Sequence, residues 1–197
     1  MNKIMKNTLI LTVITLVAGL LLGFVHDITL EPIAKQEALA KAQAYAAVFP
    51  EANTFNTIED TSDAAAYLAE NGFTVQEINE IAEACDASGN VVGHVFNVTT
   101  PEGYGGDIQL TVGVQNDKTM LGISFLTLKE TAGLGMNADT DAFKSQFAGI
   151  QADEIVVTKT GKSADNEIDA ISSATITSKA VTGAVNAALC LAGFYAQ

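Results

Sequence analysis

The sequence predicts an α+β domain, an antiparallel sheet flanked by helices, preceded by one N-terminal transmembrane helix. Three observations carry this: an unbroken apolar run over residues 9–25, period-two segments separated by polar turns between residues 75 and 128, and an apolar stripe at helical spacing after residue 175. Strands in one block with helices segregated around them indicate α+β rather than alternating α/β architecture. A length of 197 residues suits one domain with an appendage.

The apolar run comes first. Residues 9–25 are uncharged and mostly aliphatic, interrupted only by Thr12, Thr15, Ala18, Gly19 and Gly23, with no proline. At about 1.5 Å per residue this is just long enough to cross a hydrocarbon core. Lys3 and Lys6 precede it while Asp27 and Glu31 follow it, so the positive-inside bias leaves the N-terminus cytoplasmic and the main domain extracytoplasmic. The expectation is a single-pass protein of the cytoplasmic (inner) membrane, with lipid as a partner of the helix. A cleaved signal is the alternative, but the small-residue pattern at Ala38 and Ala40 lies far beyond the run and behind charged residues. No cysteine follows the run to support a lipoprotein route. The resulting division is 1–27 anchor, 28–72 helical stalk and connecting segment, and 73–197 main domain.

Residues 31–49 are rich in Ala, Glu, Gln and Lys and contain no glycine, a strongly helical composition that ends at Pro50. Residues 53–63 read as a polar, turn-rich connection, and a short helix over 64–69 should stop at Asn71-Gly72. Residues 78–85 fit strand or helix. The turn Asp86-Ala87-Ser88-Gly89-Asn90 follows, then 91–99, where Val95, Asn97 and Thr99 alternate with Phe96 and Val98, so a hairpin is the natural reading. A second pair spans 108–114 and 120–128 around Gln115-Asn116-Asp117-Lys118. Helix is expected over 139–147, strand over 154–160, and a last helix over 175–193, whose buried stripe would be Ile176, Ala180, Val181, Ala184, Val185, Ala188, Leu189 and Ala192.

Composition excludes several function classes. Net charge is -13 and all ten basic residues are lysine, so the concentrated basic surface of a nucleic-acid groove is missing. Without arginine, a phosphate cannot be held by a bidentate guanidinium clamp. Cys85 and Cys190 form neither a metal motif nor a disulfide framework and read as buried thiols. No zinc, haem or iron–sulfur spacing occurs, so no metal is expected. His26, at the membrane boundary, and His94, in a strand, belong to no nucleophile motif, and no catalytic residue is assigned.

The most informative segment is Asp169-Ala170-Ile171-Ser172-Ser173-Ala174-Thr175-Ile176-Thr177-Ser178 at the start of the last helix. A helix N-terminus offers unpaired N–H groups and partial positive charge, where a phosphate can sit without arginine. The same hydroxyls could equally be ordinary helix caps. Two other segments stand out: Gly103-Tyr104-Gly105-Gly106-Asp107-Ile108, entering a strand, and Glu130-Thr131-Ala132-Gly133-Leu134-Gly135. Taken singly, each could be a turn made by permissive glycines.

Together, and in this order, the three segments resemble the Rnf complex G subunit, the sodium-translocating NADH:quinone reductase C subunit and related FMN-binding domains. Their flavinylation motif reads Asp, two variable residues, Ser or Thr, a small residue, Ala and Thr. Asp169, Ser172, Ser173, Ala174 and Thr175 fill it, with Ser173 where glycine is more usual. Residues 130–135 resemble the Glu-Thr-Pro-Gly-Leu-Gly signature, with Ala132 in place of proline. The resemblance covers residues 31–191 and implies FMN held covalently by a phosphoester to Thr175, attached by a separate flavin transferase that draws on FAD.

It also implies that 73–197 is the FMN-binding domain, with Tyr104, Glu130, Thr131, Gly133, Leu134, Gly135 and Thr177 bordering the cofactor. A Gly-Leu-Gly turn lets the backbone approach a flat ring while Leu134 packs against it. Glu130 either hydrogen-bonds near the flavin or fixes the loop. The implied function is an electron-transfer subunit of an ion-translocating Rnf-type ferredoxin:NAD oxidoreductase complex. Its partners would be the other membrane subunits, and it would perform no complete turnover alone. The alternatives are the C subunit of the quinone reductase, which is typically longer, a stand-alone FMN-binding extracellular carrier, or, from another class, an anchored binding or scaffold protein without flavin.

Overall fold

The structure is a computed structural model and describes residues 2–195. The chain divides into two compact units at residues 41/42.

The first unit is helical. A single helix, α1 (Lys3–Val48), runs through it and on into the second unit, with Pro32 inside it. The apolar side chains of residues 9–25 make no intramolecular core, and Leu20 is 72% exposed. Hydroxyls in and beside this run are satisfied within the helix: Thr8 donates to the Ile4 carbonyl, Thr12 to that of Thr8, and Thr15 to that of Leu11. Threonine hydroxyls bonded to the helix's own carbonyls suit a medium that offers no partners of its own.

The second unit is an α+β domain built on an antiparallel meander. The strands β1 (Thr54–Thr57), β2 (Glu77–Cys85), β3 (Val91–Thr100), β4 (Ile108–Gln115) and β5 (Met120–Leu128) lie in sequential order, each antiparallel to the next. Helix α2 (Ser62–Glu70) lies between β1 and β2 in the chain. The ambiguous stretch 78–85 is therefore strand, and two register shifts along its pairing with β3 explain why its alternation is poor. The stretch read as a polar connection contains β1, an edge strand paired on one side only and mostly exposed, which leaves no apolar alternation to detect.

Each face of the sheet is covered. On one, Ile81, Phe96, Val98, Leu110 and Val112 pack against helix α4 (Thr175–Tyr195), whose Val181, Ala184, Val185, Ala188 and Leu189 are buried. On the other, Tyr45, Val48 and Phe49, at and just beyond the end of α1, rest on Ala82, Ala84 and Val95. Gly113 permits that seating, because a Cβ there would collide with the Val48 carbonyl.

After β5 the chain makes a 3-10 helix (Gly135–Asp139), a one-turn helix α3 (Asp141–Lys144), and a parallel pair of short strands, β6 (Val156–Thr158) and β7 (Glu167–Asp169). The helix expected over 139–147 is thus shorter, and β7 is additional. At three residues, β7 is too brief to show periodicity. Cys85 is buried as expected, but Cys190 is only half-buried, and that burial raises its thiol pKa. His94 is a sheet residue on β3, with its ring 5.1 Å from that of Tyr195.

Candidate functional site

Three loops converge where α4 begins. The first leads into β4, the second follows β5, and the third joins β7 to α4. They enclose a groove of about 520 Å³ lined by Tyr104 from the first loop, Glu130, Thr131, Leu134 and Gly135 from the second, and Ser173–Thr177 from the third.

The first two loops are locked together through Glu130. Its Oε1 accepts the Tyr104 N–H at 2.8 Å. Gly105 lies so close to the Lys129 carbonyl that a Cβ would collide with it. Of the two roles open for Glu130, fixing the loop is therefore visible in the fold. Within the second loop, the Thr131 carbonyl accepts the N–H groups of Leu134 and Met136, and Asn137 Nδ2 donates to the Gly133 carbonyl, so the turn is held from inside. Leu134 is left 40% exposed at the groove and Tyr104 71% exposed.

The third loop is fixed at both ends. Gln146 clasps Asp169 in both directions: Oε1 accepts the Asp169 N–H at 2.7 Å and Nε2 donates to the Asp169 carbonyl at 3.3 Å. At the helix end, Ser178 Oγ accepts the Ile171 N–H at 2.9 Å and donates to the Ala174 carbonyl at 3.0 Å. Between these ties Ser173 takes φ +61°, the left-handed region that favours glycine, which turns the chain into the helix.

The hydroxyls at this helix start are not caps. Among the described residues, no side chain of Ser172, Ser173, Thr175 or Thr177 accepts a hydrogen bond from a helix N–H; the bonded hydroxyl is that of Ser178. Thr175 is half-buried and its hydroxyl has no protein partner among the described residues, while Thr177 is 1% exposed at the groove wall.

Most sequence-predicted site residues therefore meet. Tyr104, Glu130, Thr131, Leu134, Gly135, Ser173, Ala174, Thr175 and Thr177 share one groove. Asp169 and Gly133 are tied into its loops without lining it, and Ser172 stands exposed in the third loop outside the lining. The expectation for Ile176 is corrected: it is 55% exposed and lines the groove instead of the core. Periodicity assigned it to the buried stripe, but the first turn of α4 overhangs the groove, so the stripe begins at Thr177 and Ala180. An apolar residue beside the hydroxyl run was the available signal.

Comparison with known proteins agrees in extent and order. Residues 1–48 match the RnfG N-terminal region family and residues 103–190 the FMN-binding domain family. The chain is 34% identical over 187 residues to the G subunit of the Na(+)-translocating ferredoxin:NAD(+) oxidoreductase complex of Acetobacterium woodii, covering 93% of this chain and 88% of that one. It is 31% identical over 188 residues to the G subunit of the proton-translocating ferredoxin:NAD(+) oxidoreductase complex of Clostridium ljungdahlii, covering 95% and 91%. The crystal structure of the C subunit of the Na(+)-translocating NADH-quinone reductase from Parabacteroides distasonis aligns at 22% identity and TM-score 0.49, covering 85% of this chain and 96% of that one. With identity sustained along nearly the whole chain and the N-terminal and FMN-binding regions in register, this chain belongs to the G-subunit family of Rnf-type ion-translocating oxidoreductase complexes.

Proposed function

We propose that the chain carries FMN, joined through its phosphate to Thr175, and serves as an electron-transfer subunit of an ion-translocating ferredoxin:NAD oxidoreductase complex. The observation that carries this reading is the unpartnered Thr175 hydroxyl at the edge of the groove made by Tyr104 and the 130–135 loop. The groove fits the group. Its volume of about 520 Å³ falls within the roughly 300–1,000 Å³ usual for small-molecule sites, and Tyr104, Leu134 and Ile176 offer exposed apolar surface for a flat ring. The chemistry that FMN supplies when bound is the acceptance and release of electrons.

The chain's own residues position and retain the group. Glu130 joins the two loops that form the groove wall, Ser173 turns the backbone so that Thr175 reaches the rim, and Asp169 and Ser172 belong to the segment that a separate flavin transferase would read. The hydroxyl needs such an enzyme, because no base is bonded to it among the described residues. In this reading α1 spans the membrane once over the apolar run of residues 9–25, with Lys3 and Lys6 inside and the groove-bearing domain outside. The partners are then the other membrane subunits of the complex.

The test is co-production of the full chain with an active flavin transferase, followed by a denaturing gel and mass spectrometry. A fluorescent band with one FMN-sized adduct on the Thr175 peptide, absent from Thr175→Ala, is expected. An unmodified chain beside a control substrate that is modified would refute the reading.

A further inference from the structure

We infer that Lys179, one turn along α4 from Thr175, is the counter-cation of the phosphodiester at Thr175, doing in this arginine-free chain what an arginine clamp does elsewhere. The inference rests on the Thr175 reading and concerns how the attached group is held.

Three observations converge. First, residues four apart in a helix are neighbours, so Lys179 stands on the same face of α4 as Thr175, one turn further along. Second, Lys179 is exposed and has no ion-pair or hydrogen-bond partner among the described residues. Lys118, Lys144 and Lys35 are, by contrast, committed to Asp153, Asp139 and Glu31. Third, Lys179 and Ile176 line a concavity of about 230 Å³, and Ile176 also lines the main groove, so the ammonium can approach the edge where Thr175 stands.

The acidic residue of that concavity does not capture the lysine. Glu102 accepts a hydrogen bond from Gln76 Nε2 at 3.0 Å instead. A phosphodiester adds one negative charge to a chain that already carries -13. The N–H groups of the first turn lack intrahelical acceptors and supply partial positive charge there, and Lys179 supplies the full unit.

The experiment uses the full-length chain in detergent. Wild type, Lys179→Gln, Lys179→Arg and Lys35→Gln are loaded by the flavin transferase with FAD, and both the initial loading rate and the phosphorus NMR resonance of the product are recorded. Lys179→Gln should load about two- to fivefold more slowly, the range of an exposed ion pair, and its phosphodiester resonance should be displaced. Lys179→Arg should restore both, Lys35→Gln should change neither, and the rate difference should shrink in 1 M salt, where the screening length is about 3 Å. A slower rate with an unmoved resonance would assign Lys179 to enzyme docking and overturn the inference. Wild-type rate and resonance in Lys179→Gln would overturn it too, leaving the Thr175 reading intact. Absence of any adduct on Thr175 in wild type would remove both.

Discussion

Replacing Gly105 by alanine tests whether the two loops of the groove form one rigid wall. The added Cβ would strike the Lys129 carbonyl and come within 3.0 Å of the Lys129 carbonyl carbon and 3.3 Å of Glu130 Cα. All three are backbone atoms, so no side chain can rotate away, and overpacking of this kind costs about 1–3 kcal/mol. If the first loop moves out to relieve the clash, the 2.8 Å bond from the Tyr104 N–H to the Glu130 carboxylate stretches as well. A bond to a charged acceptor is worth about 1.5–3 kcal/mol, part of which water restores at this exposed site. A net loss of about 2–4 kcal/mol is therefore expected. At roughly 2–4 °C per kcal/mol for a domain of this size, melting should fall by about 4–16 °C. Thermal unfolding of the purified chain, followed by circular dichroism, measures it. A Gly105→Ala variant that melts within 1 °C of wild type would show that the loops are not joined as described.

Other perturbations separate further parts of the fold. Gly183→Ala should stabilise by about 0.5–1 kcal/mol, since the helical position meets only the flexible ends of Gln76 and Glu102, at 3.4 and 3.6 Å; a lowered denaturation midpoint would contradict this. Ser173→Gly should leave stability level or raise it by up to about 1 kcal/mol, because relief of φ +61° outweighs or offsets the freedom glycine gains in the unfolded chain, whereas Ser173→Val should destabilise clearly in the same denaturation assay. Burial lowers the His94 pKa, with the charge of Glu83 opposing the shift, so the unfolded chain binds the proton more readily. The histidine's contribution is thus fully present above its ordinary value of 6.5 and is lost as pH falls through it. Denaturation midpoints at pH 7.5 and pH 5 should differ more in wild type than in His94→Gln, and equal differences would refute this.

Much of this architecture was legible because its signals are local. The α+β class, the central strands 91–99, 108–114 and 120–128, and the last helix follow from period two, period 3.6 and turn residues. What escaped lacks a local signal. β1 pairs along one edge and stays exposed, β7 is three residues long, and the helix expected over 139–147 shrinks to α3 because Phe143 and Phe147 are buried from a chain that coils rather than from one regular helix. At the groove, the three segments could be singled out in sequence, but their meeting depends on nonlocal ties: Tyr104 to Glu130 and Gln146 to Asp169. Ile176 was misassigned for the same reason, since periodicity tells which side of a helix is apolar and not where along its length the neighbouring element ends.

The Gln146 clasp and the two hydrogen bonds of Ser178 have a bearing on how the segment around Thr175 can be read by another protein. Thr177 and Ser178 are 1% and 0% exposed and belong to the same helix whose Val181, Ala184 and Val185 fill the core. An enzyme that required residues 169–178 as a loose strand in its cleft would have to melt α4, and with it the main packing of the domain, which costs of the order of the whole folding free energy, about 5–15 kcal/mol. Recognition of a folded chain without that cost must take place on the finished surface, whereas a reader of a loose strand would have to act before α4 packs. Folding would then set the order of events: a reader of the surface acts after the sheet, helix and three loops have come together, and a reader of the loose strand only before.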